Sequence, residues 1–237
     1  MLDTRFLIAV FEFVLLLFSL SFHECAHAWM ASRLGDQTAR LEGRITLNPM
    51  YHVDPVGTLL FPALIIFGPF IGFSFFSGFL VGWAKPTPVI TRNFRKIVRD
   101  DNLTTLAGPV SNLLIVLVAF IVLAINIKAV PAARGTILLP FEIYQSTGQV
   151  FATTPIVLVC FLAILINLML FFFNLLPIPP LDGSRVLRNL LPYNAVQVYD
   201  RVPIWVSYLL MVLVGGSVIM AFLRPLLSLV YSVLIHI

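Results

Sequence analysis

Long apolar runs separated by short basic segments set the pattern of this chain. About 20 consecutive apolar residues are enough to cross the hydrocarbon core of a bilayer as a helix. Four stretches reach that length: residues 6–31, 103–127, 156–178 and 203–223. The first carries Glu12 and a histidine cluster, and the other three hold no charged side chain. A fifth uncharged run, 56–84, is interrupted by Gly57, Gly68, Gly72, Gly78, Gly82, Pro62 and Pro69. It is too long for one straight helix and barely long enough for a tight two-helix hairpin. Irregular backbone at membrane depth needs protein or a water-filled cavity around it. The pattern therefore predicts a re-entrant or membrane-inserted hairpin near 57–83. The last run, 225–237, is short and reads as a half-span or an interfacial helix.

Composition agrees with the pattern. Hydrophobic residues make up 59% of the 237 residues and charged residues 11%, and the mean hydropathy is +0.99. A soluble domain carries roughly 25% charged residues, so this chain lacks the polar groups to cover a water-facing surface. The fold class expected is an all-α membrane protein, a polytopic transmembrane helix bundle. A disordered tail, a nucleic-acid module and a disulfide scaffold are excluded on the same grounds. Cys25 and Cys160 both lie inside apolar segments, so nothing requires an oxidising compartment. No small-x-small cleavage site closes the first apolar run, which is expected to stay as the first transmembrane helix. No linker or repeat divides the chain, so residues 1–237 read as a single transmembrane domain.

Charge adds sidedness. The net charge of +4 comes from sparse basic residues between the apolar runs. If 56–84 enters and leaves on one side, the segments 32–55, 85–102 and 182–202 share that side. Together they hold Arg33, Arg40, Arg44, Lys85, Arg92, Arg95, Lys96, Arg99, Arg185, Arg188 and Arg201, most of the 15 basic residues. The positive-inside rule makes that side cytoplasmic.

The candidate chemistry sits at the end of the first helix. His23-Glu24-Cys25-Ala26-His27 fits the H-E-x-x-H template. Residues four apart lie on one helix face, so both imidazoles can reach one metal ion, with Glu24 placed to take a proton from water. Three ionisable groups within five residues at membrane depth are costly without a role. His23 lies 17 residues beyond Phe6, about 26 Å along a helix, which puts the centre in the cytoplasmic part of the membrane. A catalytic zinc takes three protein ligands and keeps an open position. His52, Asp54 and Asp182 are the candidates for the third. Asp182 is preferred, because Pro177, Pro179 and Pro180 break the helix before it and let the carboxylate turn inward. His52 and Asp54 lie in a turn-rich stretch that reads equally well as a surface loop.

These residues resemble those of the site-2 proteases, which are intramembrane zinc metalloproteases. The resemblance rests on H-E-x-x-H, on Asn174-x-x-Pro177-x-x-x-Leu181-Asp182-Gly183, and on Gly82-Trp-Ala-Lys-Pro86 and Ala107-Gly-Pro-Val-Ser-Asn112 between them. It covers the chain from the first helix to about Leu187 and is of the compact, core-only prokaryotic type, with no PDZ-like or nucleotide-binding domain. It implies His23, His27 and Asp182 as ligands of one Zn2+ per chain, Glu24 as catalytic base, and Asn174 as a polar partner for substrate or a developing oxyanion. It also implies a membrane protein substrate, single-span and already trimmed, in a bacterial or archaeal plasma membrane with the active site toward the cytoplasm. No nucleic-acid partner is expected. Other polar residues read more plainly: Asn112 and Asn167 as interhelical hydrogen-bonding residues, and Glu12 as a protonated or interface-reaching carboxylate. A metal transporter or a non-catalytic membrane binding protein is the alternative. It would spread ligands along a path and show repeat symmetry, whereas here the ligands gather at one end.

Overall fold

The computed structural model describes residues 4–73, 84–130 and 154–236. Among these the chain is helical, and four helices are long and apolar enough to span a membrane. They are α1 (Thr4–Leu34), α4 (Ile97–Ala129), α5 (Pro155–Asn174) and α9 (Gly216–Ile235). Shorter helices lie between them: α2 (Thr38–Leu41), α3 (Phe61–Phe67), α6 (Asp182–Leu190), α7 (Tyr193–Tyr199) and α8 (Ile204–Leu210). The protein is an all-α polytopic membrane protein.

Helix α5 is the most enclosed of the spans. Phe161, Leu162, Ile164 and Leu168 are buried against Leu123 and Ile127 of α4, Leu223 and Leu227 of α9, and Ile8 of α1. In lipid such an assembly is held by close packing and interhelical hydrogen bonds rather than by expulsion of water. One of these bonds joins α5 to α1, where Asn167 Nδ2 donates to Ser19 Oγ at 2.9 Å. Asn167 thus acts as the sequence suggests.

The segment after α1 leaves and returns at the same end of the bundle. Asp54 caps it, accepting from the Val56 and Gly57 N–H groups. The chain then runs through a π-type turn (Pro55–Leu60), α3 and a 3-10 turn (Gly68–Ile71). Phe67 and Phe70 reach Phe6 near the start of α1, with ring centroids 5.8 and 5.7 Å apart. Beyond residues 74–83, which lie outside the described residues, the Lys85 N–H donates to the His52 carbonyl at 2.9 Å. Entry and exit therefore meet at the end of α1 that bears the histidines, as the hairpin expectation requires; the part of that expectation at 74–83 lies outside the described residues.

Two span boundaries differ from the sequence reading. Helix α5 ends at Asn174 rather than running to 178, because Pro177 disfavours helix in the residue before it and cannot donate to the ladder. At the C-terminal end, 203–223 and 225–237 are not separate elements. Helix α8, a π-type turn (Met211–Gly215) and α9 follow one another, and Pro225 lies inside α9. The buried stripe Leu223, Leu227 and Leu234 packs across Pro225 on the core, which offsets the one hydrogen bond that proline removes.

The three basic segments lie together. Asp36 accepts from the Ile90 N–H at 2.7 Å and from Asn93 Nδ2 at 2.9 Å. Arg185 pairs with Asp101 at 2.8 Å, and Asn189 Nδ2 donates to the same carboxylate. Segments 32–55, 85–102 and 182–202 are thus one hydrogen-bonded face.

Candidate active site

The i, i+4 spacing on α1 brings His23 and His27 Nε2 to 3.0 Å of each other. Asp182 Oδ2 lies 3.0 Å from His23 Nε2 and 3.3 Å from His27 Nε2. Both imidazoles are buried, and each outer nitrogen faces an acceptor on α4. His23 Nδ1 is 3.0 Å from Asn112 Oδ1, and His27 Nδ1 is 2.8 Å from the Thr104 carbonyl. Those acceptors place the proton of each neutral ring on Nδ1, so both Nε2 lone pairs point inward. Two lone pairs and a carboxylate oxygen converge on one point, an arrangement that repels itself unless a cation sits there. The donor set of two imidazoles and one carboxylate suits zinc, with a fourth position left open. The residues fit the metal.

The backbone makes room for this convergence at two glycines. A Cβ on Gly108 of α4 would lie 2.5 Å from His27 Cε1 and 2.6 Å from His23 Cε1, so a side chain there would displace both rings. A Cβ on Gly183 would strike the Leu175 carbonyl and come within 2.6 Å of the Leu176 oxygen. The second contact explains why the aspartate is followed by glycine: α6 folds back tightly onto the end of α5. Asp182 stands in the first turn of α6, where a negative charge is favoured by the helix dipole.

Glu24 points to a different partner. Its Oε2 accepts from the Thr87 N–H at 3.1 Å and from Thr87 Oγ at 2.8 Å, while Oε1 makes no hydrogen bond among the described residues. Thr87 follows directly on Pro86, and Arg44 holds Lys85 and Pro86 in place. Arg44 is only 4% exposed. Its guanidinium donates to the carbonyls of Tyr51, Lys85 and Pro86.

A cavity of about 500 Å³ joins these groups. His23, Glu24, His27, Thr87, Asn174 and Asp182 line one part of it, and the rest of its wall is mostly apolar. Asn174 lines the cavity as well, with Nδ2 donating to the Leu170 carbonyl of its own helix at 2.9 Å; that amide has a second N–H to offer. His52 and Asp54 are elsewhere. His52 Nε2 lies 2.8 Å from the Thr46 carbonyl, and Asp54 is occupied as a helix cap. Among the described residues His23, His27 and Asp182 are the group that could hold a metal ion.

Two contributors were not visible in the sequence reading, and a third was visible without its partner. Asn112, read there as an interhelical hydrogen-bonding residue, makes that bond to a histidine of the cluster. Thr104 acts through its carbonyl, for which side-chain patterns give no signal. Thr87 sits one residue past a segment noted only as a supporting feature, and the hydrogen-bonding pair Glu24–Thr87 is 63 residues apart in the chain.

Comparison with known proteins follows the same lines. The model of Peptidase family M50 matches residues 11–216. "Putative zinc metalloprotease YwhC" of Bacillus subtilis is 39% identical over 181 residues, covering 76% of this chain and 68% of that protein. "Putative zinc metalloprotease Rip2" of Mycolicibacterium smegmatis is 31% identical over 172 residues, and its namesake in Mycobacterium tuberculosis 30%. Each match covers 73% of this chain but spans only about half, 54%, of the Rip2 protein. No solved structure matches the chain.

Proposed function

The chain belongs to Peptidase family M50, and from that premise we propose that this zinc metalloprotease is an intramembrane endopeptidase, hydrolysing a peptide bond within or near the transmembrane segment of another membrane protein. The observation that carries the proposal is the convergence of His23, His27 and Asp182 beside Glu24 in a largely apolar cavity between membrane-spanning helices. The site holds one zinc per chain, ligated by those three side chains. Zinc bound there would supply Lewis acidity, activating water and polarising a carbonyl.

The remaining steps belong to the chain's own residues. Glu24 takes a proton from the attacking water and delivers it to the leaving amine. Thr87 holds Oε2 of that carboxylate and so keeps Oε1 directed to the reaction. Asn174 offers a neutral N–H to the developing oxyanion without bringing charge into the membrane. The apolar wall excludes bulk water and receives an apolar substrate segment. That segment unwinds locally before cleavage, because a helical carbonyl is hydrogen-bonded and sterically covered.

The substrate is a single-span protein, already trimmed, and the hydrogen-bonded basic face lies in the cytoplasm. Impermeant labelling of a cysteine placed at Arg95 reads out that orientation; labelling from outside intact cells would invert it. The decisive experiment incubates purified protein with single-span substrates, with and without chelator. The wild type cleaves, and chelation stops it. Glu24→Gln retains zinc but loses about 10²–10⁴-fold in turnover, the range for a general acid–base residue. A zinc-loaded Glu24→Gln protein with normal turnover sinks the mechanism, and zinc binding with no cleavage by any form favours a metal-binding or transport protein.

A further inference from the structure

The cavity-lining face of α1 extends well beyond the histidines. Glu12, Leu16, Leu20, His23, Glu24 and His27 all line the same cavity, at the three- and four-residue intervals that stack side chains on one face of a helix. Glu12 lies 11 residues before His23, about 16 Å along the axis. The wall between them is apolar, formed by Leu16 and Leu20 with Ile65 and Ile66 of the hairpin arm and Ile166 of α5. Packing of Phe6 and Phe13 on Phe67 fixes the hairpin arm against this stretch of α1. The site therefore has hydrolytic groups toward one end and a single carboxylate well along the wall from them.

That carboxylate has no hydrogen bond or ion pair among the described residues. A carboxyl group lining an apolar cavity is costly until something pairs with it. If its role were to reach the membrane surface, it would not need to share the cavity with the histidines. We infer that Glu12 is a specificity-determining residue, selecting substrates that carry a lysine or arginine side chain on the far side of the hydrolysed bond from the basic face. The inference rests on the endopeptidase reading. A gap of about 16 Å corresponds to roughly 5 residues of unwound, extended substrate or 11 residues of intact helix. The basic residue is thus placed 5 to 11 positions from the bond.

The test uses single-span leucine–alanine peptides with a central Gly-Gly pair. One internal lysine is moved through positions about 5 to 11 from that pair, the spacing given by extended and helical rise. Each peptide has a twin with norleucine in place of lysine. Binding to the zinc-loaded Glu24→Gln protein in bicelles is read by fluorescence energy transfer. At one or two adjacent positions the lysine peptide binds about tenfold more tightly than its twin, as expected for a charge-assisted hydrogen bond. Adding Glu12→Gln removes that preference while zinc content is retained, and adding Glu12→Lys transfers it to a peptide bearing glutamate at the same position. Equal binding of lysine and norleucine peptides at every position, including no binding of either, overturns the inference, as does a lysine preference that survives Glu12→Gln. Cleavage of the same peptides by the wild type is scored separately. Lysine preference without cleavage would remove the endopeptidase reading and leave Glu12 as a binding determinant; cleavage without preference would do the reverse.

Discussion

Gly108 of α4 stands directly against the His27 imidazole, and a single added carbon would lie 2.5 Å from His27 Cε1. Because the same carbon would also press on His23, one methyl group disturbs two of the three proposed zinc ligands. Gly108→Ala should therefore lose most of its zinc and its activity, with a stability loss of about 1–3 kcal/mol typical of overpacking. Gly216→Ala is the control. That glycine has right-handed helical backbone angles and nothing within 4 Å of a built Cβ, so its zinc content should match the wild type. Elemental analysis of both purified variants checks the contrast. Full zinc occupancy in Gly108→Ala would show that the two helices can separate without cost.

Asn112 should matter through the metal rather than through packing. Its Oδ1 fixes the His23 ring by way of Nδ1, and loss of such a partner typically weakens metal affinity about 10–100-fold. Asn112→Ala should raise the zinc dissociation constant by that factor in a competitive chelator titration. Asn167→Ala, which removes the bonds to Ser19 and to the Ala163 carbonyl and touches no histidine, should leave zinc affinity unchanged. Equal affinities for the two variants would return Asn112 to an ordinary interhelical contact.

Asn174 poses a question of chemistry against local structure. As an oxyanion donor, its removal should cost about 2.7–4 kcal/mol of transition-state stabilisation. Asn174→Ala would then keep zinc and substrate binding while turnover falls by on the order of 10²-fold or more. As a donor to the Leu170 carbonyl alone, it would shift stability slightly and leave turnover intact. Single-turnover kinetics with bound substrate separates the two.

Acid should loosen the face that holds the three basic segments together. Asp36 is fully buried. Burial by itself would raise its pKa, but hydrogen bonds from the Thr38 and Asn93 side chains and from the Ile90 and Thr38 N–H groups outweigh that and lower it. A carboxylate with a depressed folded pKa contributes stability that is complete above its unfolded pKa, near 4, and is lost as pH falls through the lower folded value. The thermal midpoint should therefore decline below about pH 4 through this group. Asp36→Asn should lower the midpoint by a few degrees at neutral pH and show a shallower decline on acidification. An unchanged acid profile in Asp36→Asn would assign that decline to other carboxylates.

Span existence was legible in the residues because lipid imposes one simple demand: a long, nearly uncharged run must satisfy its own backbone as a helix. Boundaries were less legible. The end of α5 at Asn174 could have been placed from Pro177, whose effect is local. The continuation of α9 through Arg224 and Pro225 could not, since it depends on Leu223, Leu227 and Leu234 fitting against α4 and α5.

The site divides in the same way. His23, Glu24 and His27 are set by the residues alone, because four-residue spacing on a helix fixes which side chains share a face. Asp182 entered the reading through the prolines before it, although His52 and Asp54 remained open until folding took them to the Thr46 carbonyl and a helix cap. Only tertiary structure brought Asn112 and the Thr104 carbonyl to the outer nitrogens, Thr87 to Glu24, and the hairpin arm alongside Glu12. Those contacts join residues tens of positions apart, and periodicity within one helix carries no information about which neighbour will pack on it. The composition of a segment determines that it enters the membrane as a helix; the close approach that glycines such as Gly108 permit decides what that helix touches there.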